Sequence, residues 1–169
     1  MRFSTKIIYL LFLLGILATG CEKDTQTNPT MSAIIDGVAW HSIEFESVLL
    51  DVESQNSIRL DIIGTSSDSR RIKLSLECPD NDGILKETTY DINDTINGAK
   101  LQYCVIDQFG IELIDHTTEE GSITIDEYDV IDKTVSGTYS FKSRVNGTNT
   151  FLQVKNGEFD NIEYTLIKY

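Results

Sequence analysis

Basic residues are scarce in this sequence. Its 169 residues include 14 lysines and arginines against 27 aspartates and glutamates, which gives a net charge of −13. Removal of Arg2 and Lys6 with residues 1–20 would change this charge to −15. So few cations cannot neutralise a phosphate backbone, and we therefore expect no nucleic-acid partner. Anionic lipid headgroups would also repel the chain, so charge would not hold it at a membrane.

Residues that bind metals or serve as nucleophiles are few and poorly spaced. The two histidines, His41 and His116, do not occur in a His-x-x-x-His pattern, and no Cys-x-x-Cys is present. The Gly-x-Ser-x-Gly elbow of many serine hydrolases is also missing. Acidic residues are so abundant that chance pairs of carboxylates do not indicate a glycosidase. We therefore predict no catalytic residue, no bound metal and no cofactor, and we expect the protein not to be an enzyme.

Two acidic segments resemble calcium-binding sequences only weakly. Residues 80–83, Asp-Asn-Asp-Gly, match the start of a calcium loop, but Ile84 and Lys86 then occupy ligand positions. Residues 126–132 form the second acidic run. Because such runs usually form solvated turns, we favour that interpretation for both segments.

The first 20 residues have the features of a secretory signal. Arg2 and Lys6 are basic, residues 7–17 carry no charge, and small residues precede Cys21. Leu17-Ala-Thr-Gly before Cys21 resembles a bacterial lipobox, after which the cysteine is acylated. We predict a lipoprotein signal peptide over residues 1–20 and a flexible tether over residues 21–31 that begins at the lipidated Cys21.

Acyl chains such as palmitate would then attach the protein to a membrane. The uncharged run is shorter than the roughly 20 residues of a spanning helix, so the lipid would be the anchor. We expect export and anchoring to the outer membrane, on its periplasmic or cell-surface face.

The remaining residues follow the period of β-strands. Val135, Gly137, Tyr139 and Phe141 alternate with polar residues. Beyond the signal, no long window keeps apolar residues at the three-and-four spacing of a helix, so we expect little helix. Residues 32–169 are therefore predicted to form a single all-β domain, either an antiparallel β-sandwich or a partly closed β-barrel.

Turn chemistry predicts the register of one hairpin. If Asn146-Gly147 forms a two-residue type I′ turn, Phe141 faces Leu152 and Tyr139 faces Val154. All four side chains would then lie on one face of the sheet. A second hairpin is predicted where residues 58–62 and 72–76 alternate on either side of a serine-rich loop.

Two cysteines and three aromatic residues are candidates for a role beyond packing. A disulfide between Cys78 and Cys104 would close a loop of about 26 residues and contribute on the order of 3 kcal/mol. The alternative is a free buried thiol, because Cys78 shares the parity of the apolar residues before it. Trp40, Tyr103 and Tyr128 are candidates for ligand contact, since flat rings stack on sugars, although packing in the core is favoured for Trp40.

Four strand-and-turn motifs together resemble a known family. They are Ala33-x-x-Asp-Gly-x-x-Trp40, Gly121-x-Ile-Thr-Ile125, Val135-Ser-Gly-Thr-Tyr-Ser-Phe141 and Asn156-Gly-Glu-Phe159. They are similar to Bacteroidota lipoproteins known only as a domain of unknown function, over about residues 32–165. The resemblance implies a secreted all-β lipoprotein and brings no catalytic residue.

Two classes of function remain open on the sequence. The leading hypothesis is an envelope lipoprotein that acts as a non-enzymatic binding or interaction module, with a glycan or an envelope protein as partner. The alternative is a structural component of the envelope without a dedicated ligand, and an enzyme is a distant third. An exposed aromatic or apolar patch would favour the binding module.

Overall fold

The described part of the chain consists of β-strands and turns, with no helix. The computed structural model describes residues 28–52, 56–79, 85–96, 98–113 and 116–169. None of these residues forms a helix that could cross a membrane. The strands are β1 (Thr30–Ile35), β2 (Val38–His41), β3 (Glu44–Val52), β4 (Ser57–Thr65), β5 (Arg70–Pro79), β6 (Thr89–Asp91), β7 (Gly98–Ile106), β8 (Glu112–Leu113), β9 (His116–Asp129), β10 (Thr134–Val145), β11 (Phe151–Glu163) and β12 (Thr165–Lys168).

The strands form one sheet in the order β12-β3-β4-β5-β7-β6-β9-β10-β11-β1-β2, and β8 pairs with β7 beside this path. Pairing is antiparallel except between β12 and β3 and between β6 and β7. The sheet is strongly curled but open, which makes it a half-barrel. The all-β prediction is confirmed, and of the two predicted architectures the partly closed barrel is correct.

One face of the curled sheet holds a single hydrophobic core. Trp40 of β2 is 1% exposed and packs against Gly64 of β4, where an added Cβ would lie only 3.0 Å from the ring atom Cη2. From β2 the chain passes directly into β3, and the amide of Ile43 donates to the carbonyl of Thr65 at 2.8 Å. Trp40 therefore joins regions that are far apart in the strand order and helps to close the barrel.

The first strand begins slightly earlier than predicted. β1 starts at Thr30, and Met31 is buried in the core, so the predicted boundary between residues 31 and 32 lies inside a strand. The Asp36-Gly37 turn joins β1 to β2 as expected, with Ile35 opposite Val38. The predicted signal peptide and Cys21 lie outside the described residues.

The predicted hairpins differ in outcome. The β4–β5 hairpin is confirmed, but the predicted register between β10 and β11 is wrong, by two residues at Phe141 and by three at Tyr139. Phe141 pairs with Val154 instead of Leu152, and Tyr139 pairs with Gly157. The reason is a longer loop over residues 146–149. The Val145 amide donates a hydrogen bond to the Thr150 carbonyl, and the amide and hydroxyl of Thr148 donate to the Val145 carbonyl. The shift by two keeps Phe141 and Val154 on the predicted face. An irregularity between Tyr139 and Phe141 adds the third residue, and the apolar rows remain buried.

The barrel has two ends that carry different loops. We call the end with the β9–β10 turn the N-terminal end, because β1 begins on that side of its pairing with β11 and Thr30 pairs with Asp160. The start of β1 also approaches the β4–β5 turn, since Met31 packs against Gly64 and Trp40 Nε1 donates to Arg70 O. The distal end contains the β7–β8 turn. The 14 residues of β9 connect these ends, and at about 3.3 Å per residue the strand is about 45 Å long.

Candidate functional site

The β7–β8 turn and the short β8 present three large apolar side chains to solvent at the distal end. Phe109 is 77% exposed, and Ile111 and Leu113 are each more than half exposed. We call these three residues the apolar tip. Isolated exposed apolar residues are normal on a protein surface, but several together typically mark a site of interaction.

One carboxylate fixes the shape of the apolar tip. Asp107 Oδ1 accepts hydrogen bonds from the amides of Phe109 and Ile111, both at 2.8 Å. The backbone closes the same turn, with Gly110 N donating to Asp107 O at 3.0 Å. Gly110 has a φ of 79°, which glycine adopts without strain. The turn is therefore held in one conformation, and little entropy would be lost when a partner binds it.

A triad of charged residues holds β8 in place behind the apolar tip. Glu112 accepts hydrogen bonds from Lys73 Nζ and, at 2.6 Å, from Arg71 Nη1. All three side chains are partly buried. The hydrogen bonds from Lys73 and Arg71 hold the pKa of Glu112 below its usual value, although burial opposes them. The triad thus connects β8 to β5 across β7 and supports the base of the turn.

Cys78 and Cys104 are buried and form no disulfide, so the predicted disulfide alternative is wrong. Cys104 lies opposite Arg71 in the β5–β7 ladder, and Cys78 is seven residues further along β5. At about 3.3 Å per residue this separates the two cysteines by about 23 Å. Disulfides require Cα atoms within about 7 Å. The buried thiol is the correct alternative for Cys78, and burial raises the pKa of the Cys104 thiol.

The three aromatic candidates do not form an exposed platform. Trp40 and Tyr103 are buried in the core, which confirms the favoured interpretation of Trp40 as a packing residue. Tyr128 is half-buried and stacks on Tyr164, with ring centroids 5.5 Å apart. Burial and the hydrogen bond with Tyr164 raise the pKa of Tyr128. Sugar stacking on Trp40 or Tyr103 would require the core to open.

A groove of about 530 Å³ between β7 and β9 contains polar groups and one histidine. Thr118 donates to the carbonyl of Leu101, and its hydroxyl lies 2.9 Å from that of Ser143. The ring of His116 packs edge-on against Tyr103 with a centroid distance of 5.4 Å. These contacts join β7 to β9 where the short β6 does not separate them. Contacts between the strands therefore explain how these polar side chains and the histidine are held in place.

The acidic segment over residues 126–132 was predicted to be a solvated turn, but residues 126–129 end β9 and only residues 130–132 lie in the β9–β10 turn. Asp129 Oδ1 accepts hydrogen bonds from the amides of Ile131 and Asp132 at 2.7 and 2.9 Å, so this carboxylate closes its own turn. Within the described ranges no three His, Cys, Asp or Glu side chains are grouped as they would be around a metal ion. The other acidic segment, residues 80–83, lies outside those ranges.

The same β9–β10 turn exposes two apolar residues at the N-terminal end. Ile131 is 86% exposed and Val130 is more than half exposed. The turn is held from the side by Tyr164, whose hydroxyl donates to Asp129 O at 3.3 Å and whose amide donates to Lys133 O at 2.9 Å. The barrel therefore carries a fixed apolar turn at each end.

The apolar residues of these two turns were not predicted as a site, although residues 126–132 were considered as an acidic segment. The available signal was the aromatic Phe109 between Asp107 and Gly110, because a side chain at the tip of a tight turn has little of its own protein to pack against.

Comparison with known proteins identifies one family. Residues 27–163 match the family described as a domain of unknown function (DUF6252). The matched range extends from just before β1 to the end of β11 and includes both apolar turns. No curated protein and no solved structure matches the chain.

Proposed function

Because the chain belongs to the family described as a domain of unknown function (DUF6252), we propose a function from its own residues. The protein is a lipid-anchored, non-enzymatic interaction module of the envelope of a Bacteroidota-type bacterium. Cys21 carries the lipid, and the apolar tip at the distal end binds an envelope protein.

The observation that carries this proposal is the fixed exposure of Phe109, Ile111 and Leu113. Two of the three are aliphatic, and aliphatic side chains suit an apolar pocket in a protein better than the polar face of a sugar. The ion pair between Asp68 and Arg70 lies on the neighbouring turn, which is bonded to β7 through the Ile106 amide. An apolar centre with polar groups beside it is the usual composition of a protein interface.

The apolar surface that a partner could bury limits how much the apolar tip can contribute to the free energy of binding. Burying three half-exposed or more exposed apolar side chains would contribute on the order of 4 kcal/mol. A micromolar complex requires about 8 kcal/mol. The apolar tip would therefore act as a hot spot within a larger interface, and it would not bind tightly on its own.

The proposed anchor joins the barrel at the start of β1. Thr30 lies between the two ends, because it pairs with Asp160 of β11 on one side while the next residue, Met31, packs against Gly64 near the β4–β5 turn on the other. A lipid on Cys21 would tether the barrel at this position and restrict the apolar tip to partners in the envelope. An acidic surface also keeps such a module soluble.

Site-specific photo-crosslinking in cells that export the full-length protein would test the proposal. A photoreactive residue at position 109 is expected to give a discrete adduct with one protein. The matched control carries the same residue at position 140, where the exposed Ser140 lies on the β10 strand away from both turns. Ile111→Ser in addition should weaken the adduct at position 109 several-fold.

Three other outcomes would contradict the proposal. Equal adducts at positions 109 and 140 would show no preference for the apolar tip. Capture of a glycan that depends on Phe109 would replace the protein partner with a sugar. A chain without adducts at either position would favour a structural role without a dedicated ligand.

A further inference from the structure

We propose that the face of β4, β5 and β7 that points away from the core binds an anionic sugar unit of an oligosaccharide. The site is a depression of about 280 Å³ whose lining includes Arg59, Lys73, Ser75 and Lys100. We call it the basic depression. This inference goes beyond the proposed function and does not depend on the apolar tip, because none of these residues belongs to that tip.

The register of the sheet brings three cations around one small residue. Asp61, Ser75 and Lys100 form a row across the three strands. Lys73 is two residues from Ser75 on β5, and Arg59 is two residues from Asp61 on β4. With about 4.8 Å between strands and about 3.3 Å per residue, the Cα atoms of all three cations lie within about 9 Å of that of Ser75. The short serine side chain leaves the space between the longer ones.

The polar groups of the basic depression include hydrogen-bond donors that the fold does not use. Asp61 Oδ1 accepts hydrogen bonds from Arg59 Nε at 2.9 Å and from Ser75 Oγ at 2.6 Å, so this carboxylate is already bonded. The exposed Lys100 and the half-buried Gln102, in contrast, form no ion pair or side-chain hydrogen bond with the described residues. The Lys100 ammonium and the Gln102 amide can therefore donate to a ligand.

The local charge is opposite in sign to that of the whole chain. On this face of the described strands β4, β5 and β7, Arg71 joins the three cations of the basic depression, and the carboxylates are Asp61 and Glu77. Glu112 reaches the same face from β8. Four cations against three carboxylates leave one positive charge in excess, whereas the sequence carries −13. Because charges beyond about 8 Å are largely screened at physiological ionic strength, an anionic group would be attracted here.

The remaining lining groups favour a sugar over a small inorganic anion. Ile63 adds a half-buried apolar wall, on which the C–H face of a sugar ring can pack. The second oxygen of Asp61 and the amide oxygen of Gln102 can accept hydrogen bonds from hydroxyl groups. At about 30 Å³ per water molecule, the basic depression has room for about nine waters, which is more than a single oxyanion would displace. An anionic group with attached hydroxyls and an apolar face therefore matches the site.

Two further cavities continue from the basic depression, so several sugars in a chain can lie across this face. Lys100 lines all three cavities, the others being one of about 450 Å³ and the groove of about 530 Å³ between β7 and β9. Each of these two contains carboxylates, with Glu77 and Asp94 in the first and Glu119 in the second. We therefore expect neutral sugars in the outer cavities and a single anionic sugar at the centre.

An NMR titration of the mature protein with a hyaluronan tetrasaccharide, in which glucuronate alternates with N-acetylglucosamine, would test the inference. We expect amide shifts around Ser75 and Lys100. Lys100→Gln should raise the dissociation constant at least about five-fold, because a charge-assisted hydrogen bond is lost, and Lys100→Arg should restore most of the affinity. The matched control is Lys155→Gln, which removes the same charge from an exposed position on β11 and should leave the dissociation constant unchanged.

Several results would overturn the inference. Equal binding of a neutral tetrasaccharide of N-acetylglucosamine would show that the anionic group is not recognised, and equally tight binding of inorganic phosphate would show that the sugar is not. Equal effects of Lys100→Gln and Lys155→Gln, or no amide shifts at millimolar tetrasaccharide, would also refute it. Phe109→Ser removes the centre of the apolar tip and should leave the affinity for the tetrasaccharide unchanged, so failure of this inference is distinguishable from failure of the proposed function.

Discussion

Substitution of Gly137 by alanine should destabilise the barrel strongly. Gly137 lies in the middle of β10, where a Cβ atom would be 2.1 Å from the Thr124 carbonyl oxygen of β9 and 2.6 Å from Cζ of Phe159 on β11. The ring of Phe159 could turn, but the carbonyl oxygen belongs to the backbone of the sheet. Relief of the first contact therefore requires β9 and β10 to move apart.

Two opposing effects determine how much Gly137→Ala changes the free energy of unfolding. Replacing glycine by alanine at an unstrained position stabilises a protein by about 0.4–1 kcal/mol, because the unfolded chain loses freedom. Overpacking of a close-packed core costs about 1–3 kcal/mol. Because the closest atom is backbone, we expect the upper part of that range and a net loss of about 2 kcal/mol. At about 3 °C per kcal/mol for a domain of this size, the midpoint of thermal unfolding should fall by about 6 °C.

Urea unfolding monitored by the fluorescence of Trp40, the only tryptophan of the chain, would measure the change in the free energy of unfolding. Trp40 is buried, so its emission should respond to global unfolding. Ser140→Ala on the same strand is the control, because Ser140 is exposed and its substitution should change stability by less than about 0.5 kcal/mol. A midpoint for Gly137→Ala equal to or above that of the wild type would refute the close approach of β9 and β10 at this position.

Two further predictions concern the distal triad and the cysteines. Because Lys73 and Arg71 lower the pKa of Glu112 in the folded state, the stabilisation by this carboxylate should be present above about pH 5 and disappear as the pH falls through the native pKa. Urea midpoints of wild type and Glu112→Gln should therefore differ by an amount equivalent to about 0.5–1 kcal/mol at neutral pH and converge toward about pH 3; a difference independent of pH would contradict the triad. A Cys21→Ser chain should expose no reactive thiol when folded and two thiols when unfolded without reductant, whereas fewer than two would restore the disulfide between Cys78 and Cys104.

The alternation of apolar and polar residues predicted which face each strand would bury, but it could not predict register. Phe141 and Val154 were both expected in the core and are there, yet the expected partner of Phe141 was Leu152. Asn146-Gly147 favours a two-residue turn, but the amide and hydroxyl of Thr148 both bind the Val145 carbonyl and extend the loop. A period of two is unchanged by a shift of two, so pattern alone does not distinguish these registers.

The cysteines show the corresponding limit for long-range contacts. Parity correctly placed Cys78 on the core face, because it follows Leu74 and Leu76 at intervals of two. Whether Cys104 could reach it depended on which residue of β7 faces which residue of β5, and that pairing is set by the whole β5–β7 ladder. Once Arg71 lies opposite Cys104, the two sulfur atoms are separated along the strand by more than any side chain can span.

The exposed apolar residues share a local cause that a sequence does contain. Asp94, Asp107 and Asp129 each accept a hydrogen bond from the amide two residues later, and those residues are Ile96, Phe109 and Ile131. All three are large, apolar and at least 65% exposed. An aspartate that binds its own backbone in this way fixes a turn and removes the following residues from the strand, so an apolar residue at the second position loses access to the core. An Asp-x-apolar sequence within a predicted turn therefore indicates an exposed apolar residue, which hydrophobic periodicity alone would assign to the interior. By this argument the outward-facing Phe109 and Ile131 are consequences of turn chemistry, and the proposed contact at Phe109 rests on a position that the fold holds fixed before any partner is present.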